Sequence, residues 1–183
     1  RVGSLWGGPD HQPPEAKLQG RSLREIMIDY LAGNIREVYL NPFHHSEAEI
    51  DHFIRKLRVF RPQILLGYSN SLYFLAQYFR DNRIKGIYPR GIICGGETLL
   101  PEARELLQQV FRCKVFLRYG TREADIIASE CEEGHLHLND DNLLIEIHGE
   151  PGDSQGSVLI TDLNNRVMPL IRYDLGDIAE VDS

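Results

Sequence analysis

Apolar residues recur along this chain in two rhythms. Between Ser46 and Phe60, Ile50, Phe53, Ile54 and Leu57 return at helical spacing, which predicts an amphipathic helix with one buried face. Ser46 and Glu49 have the form of a capping box at its start, and Pro62 stands just beyond its end. Elsewhere the apolar residues come in short unbroken runs. Ile64-Leu65-Leu66-Gly67, Arg90-Gly91-Ile92-Ile93-Cys94 and Val115-Phe116-Leu117 each read as buried strand, and the segments Ser71–Phe79 and Leu100–Phe111 between them read as helix. Pro101 suits the first turn of the latter, where a backbone N–H has no helical partner to lose. The third strand closes at Tyr119-Gly120, and Arg122–Ser129 is expected to form another short helix. Upstream, Ser22–Ala32 permits a helix stopped by Gly33 and Asn34, and Val38–Leu40 permits a strand. Residues 1–20, with their glycines and prolines, read as loop carrying at most one short strand.

Strands that alternate with helices and are apolar throughout predict an α/β fold, here a parallel sheet of about three strands flanked by helices. After Cys131 the pattern changes. His135–Leu138, Leu143–Ile147, Ser157–Thr161 and Leu170–Tyr173 are short strand-like runs joined by Gly, Pro, Asn and Asp, so the fold is expected to pass into a small antiparallel β section. The expected organisation is an N-terminal stretch of loop and helices over residues 1–63, a parallel α/β core over 64–130, and the antiparallel section over 131–183.

Composition narrows the class of protein. Hydrophobic residues make up 42% and charged residues 26% of the 183, a globular mix with enough apolar material for a core. The formal net charge of −7 argues against a nucleic-acid partner, which would call for a basic face. No apolar run is long enough to cross a bilayer, so no membrane role is expected, and the N-terminus lacks the pattern of a signal peptide. Cys94, Cys113 and Cys131 are odd in number and far apart, which fits a reducing cytoplasm better than a disulfide framework. The sequence begins at Arg1 without a methionine, and a natural start further upstream is expected.

In a parallel sheet covered by helices, ligands sit beyond the carboxyl ends of the strands. Three loops are expected there: Gly67-Tyr68-Ser69-Asn70-Ser71, Gly95-Gly96-Glu97-Thr98 and Tyr119-Gly120-Thr121-Arg122-Glu123. Glycine in each lets backbone approach a ligand closely. In the last, an aromatic ring able to lie on a flat base precedes a carboxylate able to hold Mg²⁺ beside phosphate, on what is expected to be the first turn of a helix. Any one of these loops alone would read as an ordinary strand-end turn.

Together they are more specific. Tyr119-Gly120-Thr121-Arg122-Glu123 resembles the Tyr-Gly-x-Thr/Ser-Glu signature of adenylate-forming enzymes, and Tyr173-Asp174-Leu175-Gly176-Asp177 resembles their Tyr-x-x-Gly-Asp signature. The preceding Met168-Pro169-Leu170-Ile171-Arg172, with Gly95-Gly96-Glu97 and Glu130-Cys131 followed by His135-Leu136-His137, resembles one branch: the phenylacetate–CoA ligases, with the capsular-polysaccharide-associated members and the coenzyme F390 synthetases. The resemblance covers roughly residues 64 to 181. It implies a ligase that activates a small carboxylic acid with ATP and Mg²⁺ as an acyl-adenylate, then passes the acyl group to coenzyme A. It implies that Tyr119 stacks on adenine and that Gly95, Gly96, Glu97 and Gly120 belong to the nucleotide pocket. It implies further that Glu123 meets Mg²⁺ on the ATP phosphates, that Asp177 accepts hydrogen bonds from the ribose hydroxyls, and that Tyr68 and Ser69 border the acyl pocket.

One departure falls inside the first signature. The hydroxyl residue usual directly before the glutamate is here Arg122, with the hydroxyl one place earlier at Thr121, so the phosphate contact passes to Thr121, to Arg122, or to neither. The Gly/Ser/Thr-rich phosphate loop and the C-terminal lysine of such enzymes have no counterpart in these residues, and the isolated chain is expected to be inactive. The alternatives are a non-catalytic nucleotide-binding or interaction domain of the same fold, and an adenylating enzyme whose acceptor is not coenzyme A. The acid and the oligomeric state stay open.

Two other groupings contain residue types that bind metals, each with a plain structural reading beside it, for the first a buried cysteine next to a strand with histidines at alternating positions. Cys131, His135 and His137 offer thiolate and imidazole ligands of the kind Zn²⁺ takes, without a CxxC pair to complete a closed site. His44, His45 and His52 surround the start of the Ser46 helix with no acidic or cysteine partner evident, as a solvated helix end would. Trp6 beside Gly7 and Gly8 reads as surface loop.

Overall fold

The computed structural model describes residues 1–6, 37–42, 46–150 and 154–180. The helix expected over Ser22–Ala32, and His44 and His45, lie outside them. The chain divides into two compact units, Arg1–Leu117 and Arg118–Ser183.

The first unit is the parallel α/β part. Its strands are β1 (Val2–Leu5), β2 (Glu37–Tyr39), β3 (Ile64–Tyr68), β4 (Gly91–Gly95) and the start of β5 (Lys114–Thr121), in the order β2-β1-β3-β4-β5. β1 runs parallel to both β2 and β3, and β3 runs parallel to β4 from Ile64 opposite Gly91 to Tyr68 opposite Gly95. The parallel sheet is therefore as expected but wider, because β1 and β2 join it. Helix α1 (Glu47–Phe60) begins with the predicted capping box: Glu49 N–H donates to Ser46 Oγ at 3.3 Å, and Ser46 N–H donates to Glu49 Oε2 at 2.7 Å. Its face of Ile50, Phe53, Ile54, Leu57 and Phe60 is buried. Helices α2 (Ser69–Asp81) and α3 (Pro101–Phe111) bury Leu72, Leu75, Ala76 and Phe79, and Leu106, Leu107 and Phe111, in the same core. The rings of Phe79 and Phe111 meet with centroids 5.1 Å apart.

The second unit is antiparallel. The rest of β5 pairs with β6 (Asp125–Glu130), which pairs with β7 (Leu136–Leu138). A separate three-stranded sheet has the order β10-β9-β8, from β8 (Leu143–His148), β9 (Gln155–Asp162) and β10 (Tyr173–Glu180). Ile127, Leu143, Val158, Ile160 and Leu170 form its core.

Two elements differ from expectation. Arg122–Ser129 is not a helix: Arg122–Ala124 form a turn and Asp125–Glu130 form β6. Eight residues do not separate a helical from a strand rhythm, and the adjacent β-branched Ile126 and Ile127 fit a pleated surface where Ile127 is fully buried. Nor is Leu170–Tyr173 a strand. Pro169 brings no N–H to a ladder, Arg172 has φ 47°, and β10 starts only at Tyr173. Cys113 lies just ahead of β5.

Candidate functional site

In the first unit the candidate residues gather where β3 and β4 end. The expected loop Gly67–Ser71 does not exist as a loop: Tyr68 closes β3, and Ser69 is already the first residue of α2. The helix thus starts without a side-chain cap from Tyr68. Glu97, from the loop after β4, supplies one: its Oε2 accepts from Asn70 N–H at 2.9 Å, and its carbonyl accepts from the buried Ser69 Oγ at 3.0 Å. A carboxylate at a helix N-terminus is favoured by both the free N–H groups and the macrodipole.

Gly95 ends β4 opposite Tyr68, and Gly96 follows with φ +70°. A Cβ on Gly96 would stand 2.7 Å from the Tyr68 ring, so only glycine lets the backbone lie against that ring. On Tyr68, Trp6 stacks at 4.6 Å between centroids and 16° between planes. Nothing local to Trp6 in the sequence announces this partner on another strand. A cavity of about 550 Å³ opens beside this stack, lined by Tyr68, Asn70, Ser71, Phe74, Gly96 and Glu97 together with Pro42.

In the second unit Tyr119, Gly120 and Thr121 lie on β5 itself, and the hairpin to β6 follows at once. A Cβ on Gly120 would collide with the Asp125 carbonyl, which is why the hairpin demands glycine there. Thr121 Oγ1 accepts from Ala124 N–H at 3.2 Å and so braces the turn that carries Arg122 and Glu123, both exposed. Glu123 therefore stands on a hairpin turn rather than on the expected helix.

The Tyr119 hydroxyl donates to Asp177 Oδ2 at 2.6 Å. Burial first, and then this bond to the carboxylate, raise the Tyr119 pKa above its ordinary value, so the hydroxyl keeps its proton as donor. Asp177 reaches it because β10 breaks register between Asp174 and Ile178, with Gly176 N–H turned onto Asp174 Oδ1 at 2.9 Å. Arg172, ahead of that break, pairs with Glu146 at 3.1 Å.

Among the described residues no three His, Cys, Asp or Glu side chains gather as metal ligands would. Cys131 Sγ–H donates to Glu133 Oε2 at 3.4 Å, Cys131 N–H donates to the His135 carbonyl, and His137 sits in β7 opposite Ser129. His52 is exposed on α1.

No protein-family model matches the chain. Protein CapK of Staphylococcus aureus is 28% identical over 153 residues, 81% of this chain and 33% of CapK. An open conformation of 2-hydroxyisobutyryl-CoA ligase in complex with 2-HIB-AMP and CoA superposes with a TM-score of 0.70 at 14% identity, over 97% of this chain and 42% of the ligase. The anthranilate CoA ligase AuaEII in complex with anthranoyl-AMP gives 0.60 at 13% identity, over 80% and 32%. A mutant of the amide bond synthetase McbA from Marinactinospora thermotolerans gives 0.59 at 18% identity, over 80% and 34%. The chain thus spans about a third of its curated relative.

Proposed function

We infer that this chain, which has the fold of the adenylate-forming ligases, is the adenosine-holding part of an enzyme that activates a small carboxylic acid with ATP. The observation that carries the reading is the 2.6 Å bond between Tyr119 and Asp177, which joins the ring proposed to stack on adenine to the carboxylate proposed to accept the ribose hydroxyls.

In the proposed reaction a carboxylate oxygen of the acid attacks the α-phosphorus of ATP, the bond to the β-phosphate oxygen breaks, and pyrophosphate leaves. The acyl-adenylate is then attacked by the thiol of coenzyme A, and AMP leaves with the electron pair of the acyl–oxygen bond. The protein's share is positioning and compensation of phosphate charge. Glu123 offers the single exposed oxygen donor that Mg²⁺ takes from a protein when phosphates supply other ligands; the metal, when bound, would neutralise phosphate charge. Thr121 already accepts a backbone bond and retains a hydroxyl proton for phosphate, and Arg122 brings a guanidinium to the same turn. Within the first unit, the Trp6–Tyr68 stack, with Gly96 lying against it and Ser69 at the start of α2, would border the acid. Similarity to CapK and the Met168–Asp177 motif favour the phenylacetate–CoA ligase branch. Cysteine usage favours a cytoplasmic enzyme; among the described residues no helix is long and apolar enough to cross a membrane.

Calorimetric titration of the 183-residue chain with AMP tests the adenosine site. Binding is expected, and Asp177→Asn should weaken it; a chain that ignores adenine nucleotides, or a variant that binds as well as the parent, would sink the reading. ATP–pyrophosphate exchange by the isolated chain is expected to be negligible, since the phosphate loop and lysine of this chemistry are not among its residues. Acid panels assayed with and without coenzyme A, in a protein of the relatives' length, separate coenzyme A from another acceptor.

A further inference from the structure

A second concavity lies in the first unit, at the other end of the sheet from the candidate site. It has a volume of about 330 Å³ and is lined where α2 and α3 end, by Arg80, Arg83, Lys85, Tyr88 and Arg112 over a floor of Phe79, Ile84, Leu106 and Val110, with Gln109 at its side. The candidate-site loops follow the carboxyl ends of β3 and β4, whereas this concavity adjoins the segments that lead into the amino ends of β4 and β5.

Its charge runs against the chain. The protein has 27 acidic residues against 20 basic ones, yet four of the residues lining this concavity are cationic and none is acidic. By contrast, the cavity beside Tyr68 carries Glu97, and a third, in the other unit, carries Asp125 and Asp162. Among the described residues only Arg80 of the four has an acidic partner, Asp81 at 2.9 Å.

The cations are also held from below. α2 closes with paired backbone bonds, Ile84 N–H to the Phe79 carbonyl at 2.8 Å and Arg83 N–H to the Arg80 carbonyl at 3.1 Å. That is a Schellman closure with Arg83, at φ 53°, in the left-handed place usually given to glycine. Arg112 closes α3 with φ 55°, its N–H on the Gln108 carbonyl, and its guanidinium lies 5.1 Å from the centre of the Tyr88 ring. Both helix ends thus fix where the arginine side chains start, and Tyr88 fixes where one of them lies.

We propose that this concavity is an anion site for a small organic phosphate, its phosphate held by Arg83, Lys85 and Arg112 and its apolar body resting on Ile84, Leu106 and Val110. Guanidinium groups match phosphate oxygens in a planar, two-point fashion that a helix-end charge balance alone does not need. The site does not depend on the adenosine reading, since no residue is shared.

The test is a titration of the ¹⁵N-labelled 183-residue chain with phenyl phosphate, followed by amide shifts, with inorganic phosphate and benzyl alcohol as separate probes. Shifts are expected around residues 83–88 and 109–112, with phenyl phosphate binding roughly tenfold tighter than inorganic phosphate and weakening as salt rises. Arg83→Gln and Lys85→Gln, at exposed positions, should each weaken it several-fold without changing the fold; Arg112→Lys keeps a charge but loses the fork and should weaken it as well. The proposal is overturned if no shifts appear at low salt, if they appear only around Gly96 or Tyr119, if benzyl alcohol produces the same shifts, or if Arg83→Gln and Lys85→Gln bind as the parent does.

Discussion

Tyr119 combines a ring and a hydroxyl whose contributions one substitution separates. Tyr119→Phe keeps the ring that would stack on adenine and removes the donor to Asp177. Losing a hydrogen bond to a charged group typically costs about 1.5–3 kcal/mol, so AMP affinity is expected to fall roughly ten- to a hundredfold. The same variant should bind 2′,3′-dideoxy-AMP as well as the parent does, because that ligand offers Asp177 no hydroxyl. Equal losses with both ligands would reduce the bond to a tie between strands. At Gly120 the constraint is steric: Gly120→Ala puts a methyl group into the Asp125 carbonyl and should destabilise the hairpin carrying Glu123, seen as faster amide exchange over residues 119–127. The motifs that nominate Tyr119, Glu123 and Asp177 are local in sequence and can be read from it directly. That Trp6 lies on Tyr68 and Glu97 reaches Asn70 was not, since each contact joins separate strands and loops.

Among the elements, α1 was fully legible, with its cap, its buried face and its end each written in a short stretch. Ser46→Ala removes the acceptor for Glu49 N–H and should cost about 1 kcal/mol, measured by urea unfolding. Leu57→Ala, at a side chain with 0% exposure in the core, should cost about 2–5 kcal/mol in the same experiment. The β5–β6 hairpin was not legible. Its second strand shares an apolar rhythm with a short helix, and burial of Ile127 against the Leu143–Ile160 core decides between them. β10 shows the same dependence: its partner is β9, and its register break, which delivers Asp177 to Tyr119, exists only with that partner in place.

For the whole molecule, the raised pKa values of Cys113 and Tyr119 point the same way. Burial pushes the Cys113 thiol from 9.0 up to about 11, and Tyr119 is raised as well. A folded state that holds a proton more tightly than the unfolded chain loses stability once the unfolded chain begins to release it. Stability attributable to Cys113 is therefore complete below about pH 9 and drains away between pH 9 and about 11. The melting temperature should fall across that interval, and Cys113→Ala should flatten part of the fall; an unchanged slope would contradict the assignment. The same burial predicts slow alkylation of Cys113 by iodoacetamide at pH 8, read by mass spectrometry.

By itself the sequence determined the α/β class, the helices α1, α2 and α3 with the capping box of α1, the passage into antiparallel sheet toward the C-terminal part and the presence of the motifs, because these rest on spacing and side-chain chemistry within a few positions. Only the tertiary structure decided that β1 and β2 join the parallel sheet, that Glu123 stands on a hairpin, that Asp177 is held by Tyr119 and that four cations share one concavity. Each of those depends on which surfaces are buried together, a long-range energy that no window of the chain contains.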